Sequence, residues 1–187
     1  MKILGIDLET TGLKENDRII EYCGIMLDSG KVSDITMRFN PQMPIDPAAA
    51  AVHHIQNEDL FDEPLFKDFA QKIHDQVRSA DVVVIHNAAF DAPFLMREFR
   101  RVGIKADDLT NPTFCTKENG RFATFGGKWP RLGELCDALD IEYDTEKAHG
   151  AKYDVAVMLK CFIKLKTLGY IADPVALSIP FCEVKND

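Results

Sequence analysis

The run Val82-Val83-Val84-Ile85, inside Asp81–His86, constrains the fold of this chain more than any other stretch. Four consecutive β-branched apolar residues leave neither face of a strand polar, so the strand belongs mid-sheet with cover on both sides. Flanking helices can supply that cover. Phe66, Phe69, Ala70, Ile73 and Val77 keep helical spacing and predict an amphipathic helix over 64–78, with Pro64 in its first turn. After the run, Asn87 to Phe90 turns. A second helix over about 91–102 buries Leu95, Phe99 and Val102, and Gly103 ends it.

The start of the chain reads differently. The first half of Ile3 to Gly12 is a buried strand and its second half ends in turn residues; Arg18 to Leu27 is a second strand, and Asp28-Ser29-Gly30-Lys31 a tight turn into a third over 32–39. These form an antiparallel meander. Further on, Pro112 to Cys115 is a short edge strand. Leu132, Leu135, Cys136 and Leu139 mark a helix, and the last long helix starts near Gly150 and buries Val155, Leu159 and Phe162. The expected class is α/β, a sheet flanked by helices, with ligands collecting at strand ends. Residues 1–170 are expected to form one domain, and 171–187, which lack a periodic pattern, an extension packing on it.

Composition narrows the setting. The 187 residues carry a net charge of −8, which argues against a simple electrostatic coat for nucleic acid. Acids that bind metal ions weaken that objection, because the ions restore local positive charge. No apolar run approaches a membrane span, and Met1-Lys2 leads straight into a strand, so neither a membrane segment nor a signal peptide is expected. Five widely spaced cysteines read as reduced thiols of a cytoplasmic protein.

The acids are placed with more purpose than the total suggests. Side chains alternate along a strand, so Asp7 and Glu9 point the same way while Leu8 enters the core. Adjacent carboxylates repel unless something positive sits between them, and hard divalent cations prefer carboxylate oxygens. Asp91 follows His86-Asn87-Ala88-Ala89-Phe90 and precedes Ala92-Pro93, which also suits a helix N-cap. His149 and Asp154 are five apart, about 500° of helix, so they would diverge by some 140° if both were helical. His149 is therefore placed on the loop before the helix, with Gly150 letting it swing over the site, and Asp154 in the first turn or two, facing the sheet.

In this order, Asp-Leu-Glu-Thr-Thr-Gly, His-Asn-x-x-Phe-Asp and His-x-Ala-x-x-Asp resemble the three motifs of the DnaQ-like (DEDDh) 3′–5′ exonucleases. That family includes the proofreading subunit of bacterial DNA polymerase III. The likeness spans about residues 1–168, and Val52-His53-His54-Ile55 falls where that subunit has a Val-His-x-Ile segment. It implies an RNase H-like fold: a five-stranded mixed sheet, first three strands antiparallel, flanked by helices. It also implies roles. Asp7, Glu9 and Asp154 would ligate one metal ion, with Asp7 bridging to a second and Asp91 completing the set directly or through water. His149 would be the general base. The ions would be Mg²⁺ or Mn²⁺, and two of them would activate water and neutralise the leaving oxygen. An imidazole titrates near pH 6.5 in water, suitable for accepting the proton.

By the same resemblance, amides near Thr10 and Thr11 would meet the terminal 3′ nucleotide, Leu13 and Phe90 would pack beside its bases, and His53 and Asn87 would add contacts. For Leu13 and Phe90, core packing is the alternative. Phe122, Phe125 and Trp129, among Lys117, Arg121, Lys128 and Arg131, either stack single strands or cover the edge of the sheet. One departure is Ala48, where some polymerase-associated members carry an acid. The expected substrate is the 3′ end of single-stranded DNA, with release of nucleoside 5′-monophosphates and a DNA polymerase as a possible partner. Trimming of RNA ends is the nearest alternative. An inactive end-binding module and a small-nucleotide phosphohydrolase are further ones.

Overall fold

The computed structural model describes residues 1–185. Its sheet has the order β3-β2-β1-β4-β5-β6, built from β1 (Lys2–Thr10), β2 (Ile19–Asp28), β3 (Lys31–Arg38), β4 (Val82–Ile85), β5 (Pro112–Cys115) and β6 (Ile179–Pro180). The meander is antiparallel, as its turn residues require, and β4 adds to β1 in parallel. The apolar run is indeed central: all four residues of β4 are fully buried between β1 and β5.

The sheet has six strands where five were expected. The sixth is two residues of the tail, Ile179 and Pro180, antiparallel to Thr113 and Pro112. Pro180 has no N–H for a ladder, which confines such a strand to the sheet edge. Beyond it Phe181 is fully buried and Val184 nearly so, both in the main core. Residues 186–187 of the expected extension lie outside the described residues.

Two helical layers cover the sheet. On one face α2 (Phe66–Arg78) and α3 (Ala88–Arg101) pack on Leu4, Ile6, Leu8, Val83 and Ile85. On the other, α5 (Leu132–Ala138) and α6 (Ala151–Thr167) pack on Cys23, Ile25, Val82 and Val84. Two short helices, α1 (Pro47–His53) and α4 (Thr116–Gly120), cap the loops between them. Helix α2 begins two residues after Pro64, because the Asp68 carboxylate accepts the Leu65 N–H and closes its first turn there. Ala48 lies in the first turn of α1, its N–H donated to Asp46.

The close seat of α6 on β1 depends on Gly5. A β-carbon there would come within 2.8 Å of Leu159 Cγ and 2.9 Å of Val155 Cγ1. Gly5→Ala should therefore cost about 1–3 kcal/mol by overpacking, a fall of roughly 2–12 °C in melting temperature. Calorimetry reads the loss, and Leu159→Ala in the same chain should recover part of it. An unchanged melting temperature in the single variant would show that the helix seat is not tight.

Candidate active site

The ends of β1 and β4 lie side by side in the parallel pair, and the acids gather there. Asp7 and Glu9 sit on the α6 side of β1, opposite Cys23 and Glu21 of β2 respectively. Asp154 is in the first turn of α6, with Gly150 as its N-cap, as the spacing from His149 required. Asp91 comes from the first turn of α3, just after β4. It is not the N-cap. The helix starts at Ala88 with Asn87 as cap, in the left-handed region at φ 81°. Pro93 lies inside the helix rather than at its start, having no N–H to give the Ala89 carbonyl.

These carboxyl groups feel one another strongly. Burial raises the Asp7 pKa well above the usual carboxylate range, and Asp91, Glu9, Asp154 and Glu21 add to the shift. Glu9 is pushed up to about 8 by burial first and then by Glu21, Asp91 and Asp154. Burial also raises Asp91 and Asp154. Of the five acids only Glu21 has a cation partner among the described residues, Arg38 at 2.9 Å. Glu21 was missed in the sequence, where it sits in an apolar strand. Counting the β1–β2 register would have found it, since directly opposed residues of an antiparallel pair share a face. It ties three elements together, accepting from Arg38 on β3 and from the Ala151 N–H (3.4 Å) at the start of α6.

Among the described residues, no three His, Cys, Asp or Glu side chains converge closely enough to form a metal cage as they stand. The donor chemistry nevertheless fits a hard divalent cation. It is all carboxylate oxygen, crowded and short of positive charge. A soft metal would find no thiolate or imidazole set here.

His149 occupies the turn before α6, exposed and left-handed at φ 63°. Its backbone N–H donates to Asp154 Oδ2 at 3.0 Å, which offsets part of the rise that burial gives that carboxyl group. Tyr143 donates to the other oxygen at 3.4 Å. The structure thus brings His149 and Asp154 together.

The remaining candidates divide. Thr10 and Thr11 are buried and brace the loop after β1: Thr10 Oγ1 donates to the Gly12 carbonyl, and Thr11 Oγ1 to Asp17 at 3.0 Å. The Thr11 N–H is already engaged by the Arg18 carbonyl at 2.9 Å. Buried Glu98 anchors the same loop, accepting from Arg18 and Arg101. Leu13, at its tip, is 82 % exposed, which excludes core packing for it. With Asn87 and half-buried Phe90 it lines a cleft of about 330 Å³. His53 is buried instead, its Nδ1 accepting the Ile55 N–H, and burial lowers its pKa despite the nearby Thr10 carbonyl and Glu21. Phe122 and Trp129 are about half exposed, and Phe125 is fully exposed.

A family model described as "Exonuclease" matches residues 4–162, which include all four acids and His149. The chain belongs to the exonuclease family. Within it, DNA polymerase III subunit epsilon of Haemophilus influenzae is 33% identical over 172 residues, covering 86% of this chain and 65% of that protein. The Escherichia coli subunit is 30% identical over 171 residues, covering 86% and 69%. This chain thus spans about two thirds of the length of those relatives. Among solved structures, Escherichia coli Exonuclease I with a dT13 oligonucleotide superposes with a TM-score of 0.76 at 22% identity, over 89% of this chain and 41% of that one. Exonuclease X bound to 5′-overhanging duplex DNA gives 0.64 at 24%, over 93% and 97%. Those likenesses concern the fold, which this exonuclease-family chain shares. Among its described residues, no helix is long and apolar enough to cross a membrane.

Proposed function

We propose that this chain is a metal-dependent 3′–5′ exonuclease that removes nucleoside 5′-monophosphates from the 3′ end of single-stranded DNA. The observation that carries the reading is the cluster of Asp7, Glu9, Asp91 and Asp154, crowded into mutual repulsion, with His149 against Asp154. Asp7, Glu9 and Asp154 would hold one Mg²⁺ or Mn²⁺ ion, Asp7 would share a second, and Asp91 would complete the set. Such ions, when bound, acidify a water and neutralise charge on the leaving oxygen. The chain's own groups do the rest. His149, on a turn fixed by its N–H bond to Asp154, takes the proton of the attacking water. Leu13 and Phe90 wedge the terminal base, and Asn87 and the turn after Thr10 and Thr11 border the same cleft. His53, buried near Thr10, would add a contact from behind the turn.

Residues 1–170 form the exonuclease domain in this reading, with 171–187 as an extension packed on it. The protein acts in the cytoplasm, and its relatives' names make a DNA polymerase the partner to test by co-purification.

Matched 3′- and 5′-labelled single-stranded oligomers of DNA and RNA, incubated with Mg²⁺, test the reaction. Mononucleotides should leave from the 3′ end, faster from DNA. Faster loss from RNA would transfer the activity to RNA ends. Release from the 5′ end, or no degradation with either Mg²⁺ or Mn²⁺, would overturn the assignment.

A further inference from the structure

We propose that Arg97 and Lys117 form a phosphate clamp for the single strand upstream of the scissile bond, a role that rests on the exonuclease reading above. The cleft that begins at Leu13, Asn87 and Phe90 continues past Phe94 to these two residues. Among the described residues its only charged lining groups are these two cations, in a chain whose net charge is −8. A polyanion approaching an acidic protein meets its complement here.

Helix α3 builds one wall. Phe90, Phe94 and Arg97 are spaced by four and three residues and so share one face. The two rings lie 5.1 Å apart, and the Arg97 guanidinium stacks 4.3 Å above Phe94. The face thus runs from a ring beside the acids to a fixed cation. At 1.5 Å per residue, Arg97 lies about 9 Å along the helix from Asp91, beyond a terminal nucleotide and towards the phosphates behind it.

Among the described residues no carboxylate lies within ion-pair distance of either cation, although Glu15 and Glu98 act on Arg97 from further away. Arg97 Nε is buried with no hydrogen-bond partner. Glu98, next to it, is occupied by Arg18 and Arg101. Lys117 Nζ donates only to the neutral Asn87 Oδ1, at 2.9 Å. Asn87 caps α3 just ahead of Asp91, so a phosphate on Lys117 is registered against the reaction centre. Arg97 is the planar, stacked donor suited to bidentate phosphate contact, and Lys117 the mobile point charge.

The test is steady-state hydrolysis of a single-stranded dT oligomer by the wild type, Arg97→Ala, Lys117→Ala and the double variant, over a salt series. Each single variant should raise KM about tenfold, the scale of one charge-assisted contact, while kcat changes less than twofold. The slope of log KM against log salt should fall by about 0.7 for each cation removed. Arg97→Lys should restore the salt slope, because it keeps the charge, and only part of the affinity, because it loses the planar fork; a purely structural arginine would not permit either. KM within twofold of wild type, or an unchanged salt slope, overturns the clamp. So does loss of kcat that Arg97→Lys fails to rescue. A wild type that degrades no strand fails the exonuclease reading itself, a different result from an active enzyme indifferent to these substitutions.

Discussion

Asp7→Asn should leave the protein folded and lower exonuclease turnover by roughly 10²–10³-fold or more. The amide keeps the shape of the side chain and removes the charge at the centre of the cluster. Burial first, and then Asp91, Glu9, Asp154 and Glu21, disfavour the charged form of Asp7, so the amide removes that cost. The metal-free variant should therefore melt higher than wild type at pH 8, by about 2–4 °C for each kcal/mol relieved.

The sign follows from proton linkage. A carboxyl group whose pKa is raised on folding binds its proton more tightly in the folded state, so its contribution is fully present below the unfolded pKa. It is lost as pH rises through the folded value. For Glu9 that window runs from about 4.5 to about 8. Asp7, Asp91 and Asp154 shift the same way. Arg38, which pairs with Glu21, offsets only the rim of the cluster. Wild type in a chelator should lose stability between pH 5 and pH 8, and Asp7→Asn should lose less. Calorimetry at the two pH values checks both statements. A lower melting temperature for Asp7→Asn at pH 8 would mean that the carboxylates do not repel as described.

His149→Asn should cut turnover by about 10²–10⁴-fold, the usual worth of a positioned general base. Asparagine is the choice because it tolerates the left-handed backbone that His149 adopts and keeps the N–H that binds Asp154. The side chain is exposed, so the melting temperature should stay within about 2 °C of wild type. Turnover within a few-fold of wild type would remove His149 from the mechanism.

The sheet, its meander and the central β4 were legible because β-branched runs and turn residues are local signals. The acids were legible as three ordered motifs, and Gly150 marked the start of α6. What escaped depends on pairing across the fold. Strand β6 is two residues long and exists only because Thr113 offers an edge. Asp91 looked like a cap because Ala92-Pro93 suggested a helix start, whereas Asn87 takes the left-handed position and the helix starts at Ala88, three residues earlier than expected. Glu21 needed the β1–β2 register, and Arg97 needed the face of α3 set against the loop that carries Leu13. Leu13 shows the converse. Its apolar side chain suited core packing, but the loop braced by Thr10, Thr11 and Glu98 holds it in solvent.

Mn²⁺ titration of the purified protein, by calorimetry and thermal melting at pH 8, measures directly whether the carboxylate cluster binds divalent cations. Saturable binding should raise the melting temperature, with about 2.7 kcal/mol gained at a hundredfold excess over Kd. Asp7→Asn should abolish most of that gain. A wild-type melting temperature indifferent to millimolar Mn²⁺ and Mg²⁺, with no heat of binding, would contradict the account.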